Sequence, residues 1–318
     1  MRLGMLLPHF GSAADADEIL SFAEEVEALG FDSVWARDNL NFRPLEFEPP
    51  GHRFIDPFTI LTAVAARTKR LGVGTAVLTP FRPPLVAAQL VGGLSLIAEG
   101  RFELGVGPGT PRRPWEAVGV DYDERIDRCR ETVEVIRAVS GPGEQSYSGR
   151  FAQFEGVDLD PAPSPELTVW YGGASRHALD ALSTYADGLM PGRCPLPVLQ
   201  SYVRRHVESG RGSGAPRLAM QTLVVPAPSR SAALERLHDA GAVEAISRRW
   251  KQELTTIDDL LGAAVAGPPD DCLEQLQTLV AADVELIVLD FRLAGGSHRS
   301  QVRAFANDVA SRFGTGPH

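Results

Sequence analysis

The chain has 318 residues, 44 % of them hydrophobic, and a formal net charge of −10, which suits one large α/β domain with a substantial core. Basic residues never run longer than pairs (Arg112-Arg113, Arg204-Arg205, Arg248-Arg249), so nucleic acid has no electrostatic footprint. No apolar stretch reaches the length of a membrane span, and three scattered cysteines (Cys129, Cys194, Cys272) point to a reducing, cytoplasmic setting without a disulfide framework or zinc site.

The opening MRLGMLLPHF has too short an apolar core for a signal peptide and reads as a first strand, Arg2–Pro8, emptying into His9. From Asp15 to Leu29 the apolar positions Ile19, Phe22, Ala23, Val26 and Leu29 make a helical stripe, closed by Gly30. Ser33–Ala36 is a second strand ending in Arg37-Asp38-Asn39. A long proline-bearing loop follows, and Asp56-Pro57 starts a helix that runs to Arg67, a capping residue before proline at the first helical position. The stretch RLGVGTAVLTPFRPPLVAAQLVGGLSLIAEGRFELGVGPG, from Arg70 to Gly109, is a strand–helix–parallel strand unit with almost no charge inside its strands.

The second half continues the alternation. An amphipathic helix is expected over Asp121–Val139 after a segment kept irregular by Pro111 and Pro114, then a small hairpin-like insertion over Gly141–Glu166. Thr168–Tyr171 is a strand emptying into Gly172-Gly173-Ala174-Ser175 and a helix. Gly188–Met190 and Arg217–Val225 are further strands, Ser229–Ala266 is mostly helical and longer than one crossover needs, and Glu285–Phe291 is the last strand. Eight short strands alternating with helices fit a single (β/α)8 barrel over residues 1–318, with a small insertion after helix 4 and extra helices after strand 7.

Chemistry in such a fold collects at the C-terminal strand ends. Gly105-Val106-Gly107-Pro108-Gly109 is no dinucleotide fingerprint, because Thr110 stands where the third glycine belongs and the prolines delay the helix. Gly172, Gly173 and Ser175 have the composition of an anion site at a helix N-terminus, although a tight βα turn serves equally well. His9, Asp38 with Asn39, and Asp290 with Arg292 follow strands and belong at the mouth. For His9 a hydrogen bond to a loop carbonyl is the plainer reading, and for the last pair a salt bridge in the rim. No strand ends in lysine, no H-E-x-x-H or H-x-H occurs, and G-x-S-x-G is absent, so Schiff-base, metal-hydrolase and serine-hydrolase chemistries lack their residues. What is left suits an enzyme whose cofactor carries the reaction on a small molecule.

The blocks GTAVLTPFRPP, GRFELGVGPG, RCRETVEVIR and VWYGGASRHALDALSTYADG, in this order and spacing, resemble the bacterial luciferase-like superfamily. The resemblance implies a (β/α)8 barrel, an oxidoreductase or monooxygenase activity, and reduced FMN or the deazaflavin coenzyme F420 as cofactor. It also implies a non-prolyl cis peptide at Ala76–Val77, set against the ring with Thr79 beside it, and a phosphate held at Gly107, Gly109 and Thr110 and at Gly172, Gly173 and Ser175. Many members end the second strand in Asp-His; here the pair is Asp38-Asn39, and an amide takes no proton at neutral pH. The sugar-phosphate dehydrogenase branch carries a glutamate where Thr110 stands, which argues against that reaction. His9, on the neighbouring strand, is then the expected acid or base, with Asp38 and Asn39 lining the reacting edge. Only two of the 31 basic residues are lysine. That bias is associated with actinobacterial chains, where F420 is common, and places F420 slightly ahead of FMN. Family members often dimerise, so a homodimer is expected. The alternatives are a flavin-binding barrel without turnover and a non-redox phosphate-binding barrel enzyme.

Overall fold

The computed structural model describes the chain except residues 46, 174–175, 211–214, 294–297 and 314–318 and the side chain of 176. Eleven strands are present among the described residues: β1 (Arg2–Leu6), β2 (Ser33–Ala36), β3 (Gly72–Thr75), β4 (Phe102–Val106), β5 (Gln145–Ser148), β6 (Gln153–Val157), β7 (Val169–Tyr171), β8 (Gly188–Leu189), β9 (Arg217–Pro226), β10 (Ala264–Gly267) and β11 (Val284–Asp290). Eight of them close a parallel barrel in the order β9-β11-β1-β2-β3-β4-β7-β8 and back to β9. The expected (β/α)8 architecture is therefore the observed one.

The helices are α1 (Ala16–Ala28), α2 (Pro57–Arg67), α3 (Pro84–Ile97), α4 (Arg113–Ala117), α5 (Arg125–Ala138), α6 (Arg176–Thr184), α7 (Leu196–Ser209), α8 (Arg230–Asp239), α9 (Ala242–Trp250), α10 (Pro269–Ala281) and α11 (His298–Asp308). Local chemistry sets several of their starts. The Asp15 carboxylate accepts the Glu18 N–H at α1, and Asp56 accepts those of Phe58 and Thr59 at α2. Proline stands in the first turn of α2, α3, α4, α7 and α10, where its missing N–H costs nothing.

Three details depart from the sequence expectation. The segment carrying Pro111 and Pro114 contains a short helix, α4, because Pro114 falls within its first turn. The amphipathic helix starts at Arg125 rather than Asp121, after a 3₁₀ turn over Tyr122–Glu124. The stretch after β9 holds α8 and α9 as expected but ends in strand β10, which pairs with Leu223–Pro226 at the C-terminal end of β9. A four-residue strand of alanine, valine and glycine has no periodicity to distinguish it from the end of a helix.

The core is layered. An annulus of aliphatic side chains fills the space between strands and helices, while a separate inner cluster, including Leu6, Trp35, Trp170, Met190, Ala219 and Leu286, plugs the barrel. Trp35 and Trp170 lie in spaces left by glycines: a β-carbon on Gly4 or Gly74 would strike the Trp35 ring, and one on Gly188 the Trp170 ring. Their N–H groups are satisfied by Ser33 Oγ (2.8 Å) and Glu103 Oε2 (2.7 Å). The inner end of the barrel is thus packed and closed, which leaves the C-terminal mouth for function.

Candidate active site

At that mouth the strand ends surround a cavity of about 840 Å³. It has two unlike walls. The first is backbone: the turn after β3 (Ala76, Val77, Thr79), the exit of β4 (Gly109, Thr110) and the exit of β7 (Gly172, Gly173). The Ala76–Val77 peptide is cis, as the resemblance implied. It is held between neighbours: Ala76 N–H donates to Ala36 O (2.7 Å), Leu78 N–H to Gly105 O (2.8 Å), and Gly107 N–H to Leu78 O (2.9 Å). The Val77 side chain fills the space that glycines vacate, since a β-carbon on Gly107 would come within 2.8 Å of Val77 Cγ2 and one on Gly172 would collide with Val77 Cγ1. Gly107 thus lies behind Val77 and supports this wall, and it is absent from the residues that line the cavity. Ser175 lies outside the described residues.

Asp38 and Asn39 close the seam between the walls. Asp38 Oδ2 accepts from Arg82 Nη1 (2.7 Å) and from the Thr79 N–H (3.0 Å), and Arg82 also pairs with Asp56 at the start of α2. Burial pushes the Asp38 carboxyl upward, against the pull of Arg82. Its role is to fasten the β3 exit to β2. Asn39 differs: its Oδ1 is buried at the cavity with no hydrogen-bond partner in the described protein.

The second wall is charge. Glu48, with a side chain only 1 % exposed, joins Arg37 Nη1 (2.5 Å) and Arg292 Nη1 (2.6 Å), and Arg292 also pairs with Asp290 (2.6 Å). The two guanidinium groups hold the Glu48 carboxyl below its ordinary value despite burial, and Arg292 does the same for Asp290. Arg193 stands beside this cluster, over the Phe47 ring (5.3 Å to its centre), with Nη1 buried and unpartnered. Arg43 and Arg249 also line the cavity. Of this wall, sequence reading found only the Asp290–Arg292 pair. Arg193 follows the two-residue strand β8, and Gln221 interrupts the apolar run of β9; those two placements were the available signals.

His9 is not where the acid–base expectation needs it. It is fully buried, and its ring nitrogens lie against backbone carbonyls, Nδ1 at 2.9 Å from Leu7 O and Nε2 at 3.0 Å from Arg37 O. It does not line the cavity. Burial lowers its pKa to about 4, aided by Arg37 and Arg292 and opposed by the two carbonyls. The neutral ring has one N–H and donates it to one of these two carbonyls, and with its edge-on aromatic contacts to Phe10 and Phe54 His9 braces β1 against β2. The plainer alternative, a histidine hydrogen-bonded to a loop carbonyl, describes it.

The cavity therefore has a cis-peptide shelf, glycine exits that bring backbone close, and unsatisfied polar atoms on Asn39, Tyr171 (the hydroxyl) and Arg193. Buried polar atoms rarely go unpaired in a finished core; here they surround one space. A family model described as luciferase-like monooxygenase matches residues 1–285. The chain belongs to that family. This luciferase-like oxidoreductase is 26 % identical to an F420-dependent glucose-6-phosphate dehydrogenase of Amycolatopsis mediterranei (strain U-32), over 93 % of this chain and 94 % of that one. Its fold matches a solved F420-dependent secondary alcohol dehydrogenase in complex with an F420–acetone adduct, with a TM-score of 0.76 and 18 % identity over 98 % of this chain and 97 % of that one. It also matches the oxygenating constituent of 3,6-diketocamphane monooxygenase of Pseudomonas putida in complex with FMN, with a TM-score of 0.72 and 16 % identity over 97 % and 94 % of the two chains.

Proposed function

We propose that this luciferase-like protein is an F420-dependent reductase that delivers hydride to a small unsaturated organic substrate. The observation that carries the reading is the make-up of the mouth. The shelf at Ala76–Val77 is flanked by an amide, Asn39, and by carboxylates already engaged with arginine, Asp38 and Glu48. The lining histidine, His177, belongs to the glycine wall, in the first turn of α6. Oxidising an alcohol needs a base to take the hydroxyl proton, and the groups at the seam are committed elsewhere or cannot accept one. Reduction asks less, because a cationic wall stabilises the negative charge that hydride brings to the substrate, and the balancing proton can come from water.

The residues present fit such a cofactor. Glycine exits at Gly109, Gly172 and Gly173 let the backbone approach a phosphate, and Arg125, stacked on Tyr122 (3.9 Å), stands on the same side. Tyr171 OH adds an unpaired buried hydroxyl there. When bound, the deazaflavin supplies two-electron hydride chemistry without oxygen. The chain's part is to orient the ring on the Ala76–Val77 shelf, to hold that shelf through Asp38 and Gln221, and to exclude water. F420 is favoured over FMN because relatives matched over nearly their full length are F420-dependent.

Titrating the protein with F420 and FMN, each oxidised and reduced, tests this. Micromolar binding of F420, at least tenfold tighter than FMN, followed by turnover on electron-poor alkenes or imines and none on secondary alcohols, is expected. Preference for reduced FMN with oxygen uptake would replace it with a monooxygenase.

A further inference from the structure

We infer that the arginine wall docks the carboxylate of a small acidic substrate, with Arg193 as the cation it meets. The inference builds on the mouth being a cofactor and substrate site, and adds what the substrate must carry.

Arg193 is fixed at its base. Its N–H donates to Gln221 O (2.7 Å), its carbonyl accepts from Trp250 Nε1 (2.6 Å), and its φ of 48° places it in the left-handed region that side chains rarely adopt. The main chain at its base is therefore held in place before any ligand arrives. The guanidinium lies against the Phe47 ring and has no carboxylate in ion-pair range among the described residues. Every other charge in the cluster is accounted for: Glu48 serves Arg37 and Arg292, and Asp290 serves Arg292. Among the described residues these two carboxylates are taken up by Arg37 and Arg292, which leaves the Arg193 charge without one at the cavity. Burial and the nearby guanidinium groups of Arg292 and Arg37 lower its pKa to about 9, so it stays charged at neutral pH but under repulsion. A buried cation without a partner is costly.

A monoanion gives Arg193 the partner it lacks. A carboxylate also matches the flat guanidinium fork. The position is right for a reacting molecule. Gln221 joins the two sites, since its main-chain carbonyl accepts from Arg193 and its side-chain Nε2 donates to Ala76 O (3.4 Å) on the shelf. Arg193 and the shelf line the same cavity, so an acid held at Arg193 shares the space in front of the shelf. Arg43 and Arg249 in the cavity lining give an incoming anion a favourable field.

Calorimetric titration with benzoate, benzamide and inorganic phosphate, on protein with and without bound cofactor, decides it. Benzoate should bind one per chain and at least tenfold more tightly than benzamide. Arg193→Gln should erase that preference while leaving cofactor affinity within about twofold, and Arg193→Lys should restore part of it. Thermal melting of both variants checks that they fold. Equal binding of benzoate and benzamide overturns the inference, as does a benzoate preference that survives in Arg193→Gln, which would place the anion at the glycine exits. Phosphate outcompeting benzoate through Arg193 overturns the carboxylate assignment. If F420 fails to bind but the Arg193-dependent preference holds, the proposed cofactor falls and the acid pocket stands; if F420 binds and the preference is missing, the reverse is true.

Discussion

Across the cavity, one wall is made of backbone and the other of charge. The glycine wall gets its shape from absent side chains: Gly107 and Gly172 leave the space that Val77 occupies, and no ionic contact is needed to define it. The arginine wall depends on mutual neutralisation among Arg37, Glu48, Arg292 and Asp290, contributed by β2, the loop after it and the end of β11. The difference teaches that the two should fail in different ways. Steric change in the first should cost ligand affinity with modest loss of stability. Charge removal in the second should cost stability first.

Glu48→Leu is the strongest test of that contrast. It leaves Arg37 without its carboxylate and removes one of the two that Arg292 holds, and breaking a buried ion pair costs about 3–5 kcal/mol; chemical denaturation should show a loss of this size. Glu48 is held below its ordinary 4.5 by Arg37 and Arg292. The stabilisation it provides is therefore complete above that value and is lost as pH falls through the lower, folded value. Glu48→Gln should remove this acid-side dependence. A loss below about 1 kcal/mol would show that the wall does not depend on its ion pairs.

His9 gives the next largest effect. In the unfolded chain it titrates near 6.5, and in the folded protein burial holds it to about 4. Between these values the unfolded state binds the extra proton, so stability is full above about pH 6.5 and falls by about 3 kcal/mol as pH drops to 4. His298, half-buried and likewise lowered to about 4 by desolvation, adds to the same window. His9→Gln should flatten its share of the slope while turnover at neutral pH stays within a few-fold. A tenfold fall in turnover with stability intact would return His9 to the chemistry.

The two walls were not equally legible in the sequence. Strand exits rich in glycine are contiguous in the chain, so Gly107-Pro108-Gly109 and Gly172-Gly173 mark their wall by local composition alone, and their blocks carry the family resemblance. The arginine wall is assembled from positions as far apart as Arg37 and Arg292, and no local period links them. In a chain with nearly all its basic residues as arginine, a functional arginine is also hard to tell from a solvated one. His9 was misplaced for a related reason. Sequence puts it after the first strand but does not show that the ring lies buried between the Leu7 and Arg37 carbonyls.

Gly172→Ala probes the backbone wall. The added β-carbon would press on Val77, and overpacking of this kind costs about 1–3 kcal/mol. Because Val77 belongs to the cis-peptide shelf, the loss should appear mainly in cofactor binding, at least tenfold by titration, with benzoate binding at Arg193 retained. Loss of both ligands together would mean the walls are not independent.

The smallest expected effect is the most diagnostic. Asn39 stands where the walls meet, with Oδ1 buried and unpartnered in the described protein. A side chain that supports only the fold would lower stability when cut back. One that waits for a ligand should do the opposite, since removing an unsatisfied buried acceptor relieves a desolvation cost. Asn39→Ala should therefore melt at or slightly above the parent temperature when ligand-free. The cofactor-bound protein should lose about 1 kcal/mol of binding, roughly a fivefold rise in Kd. Ligand-free destabilisation with unchanged Kd would make Asn39 part of the frame, leaving Arg193 and the Tyr171 hydroxyl as the polar groups of the cavity that a ligand must satisfy.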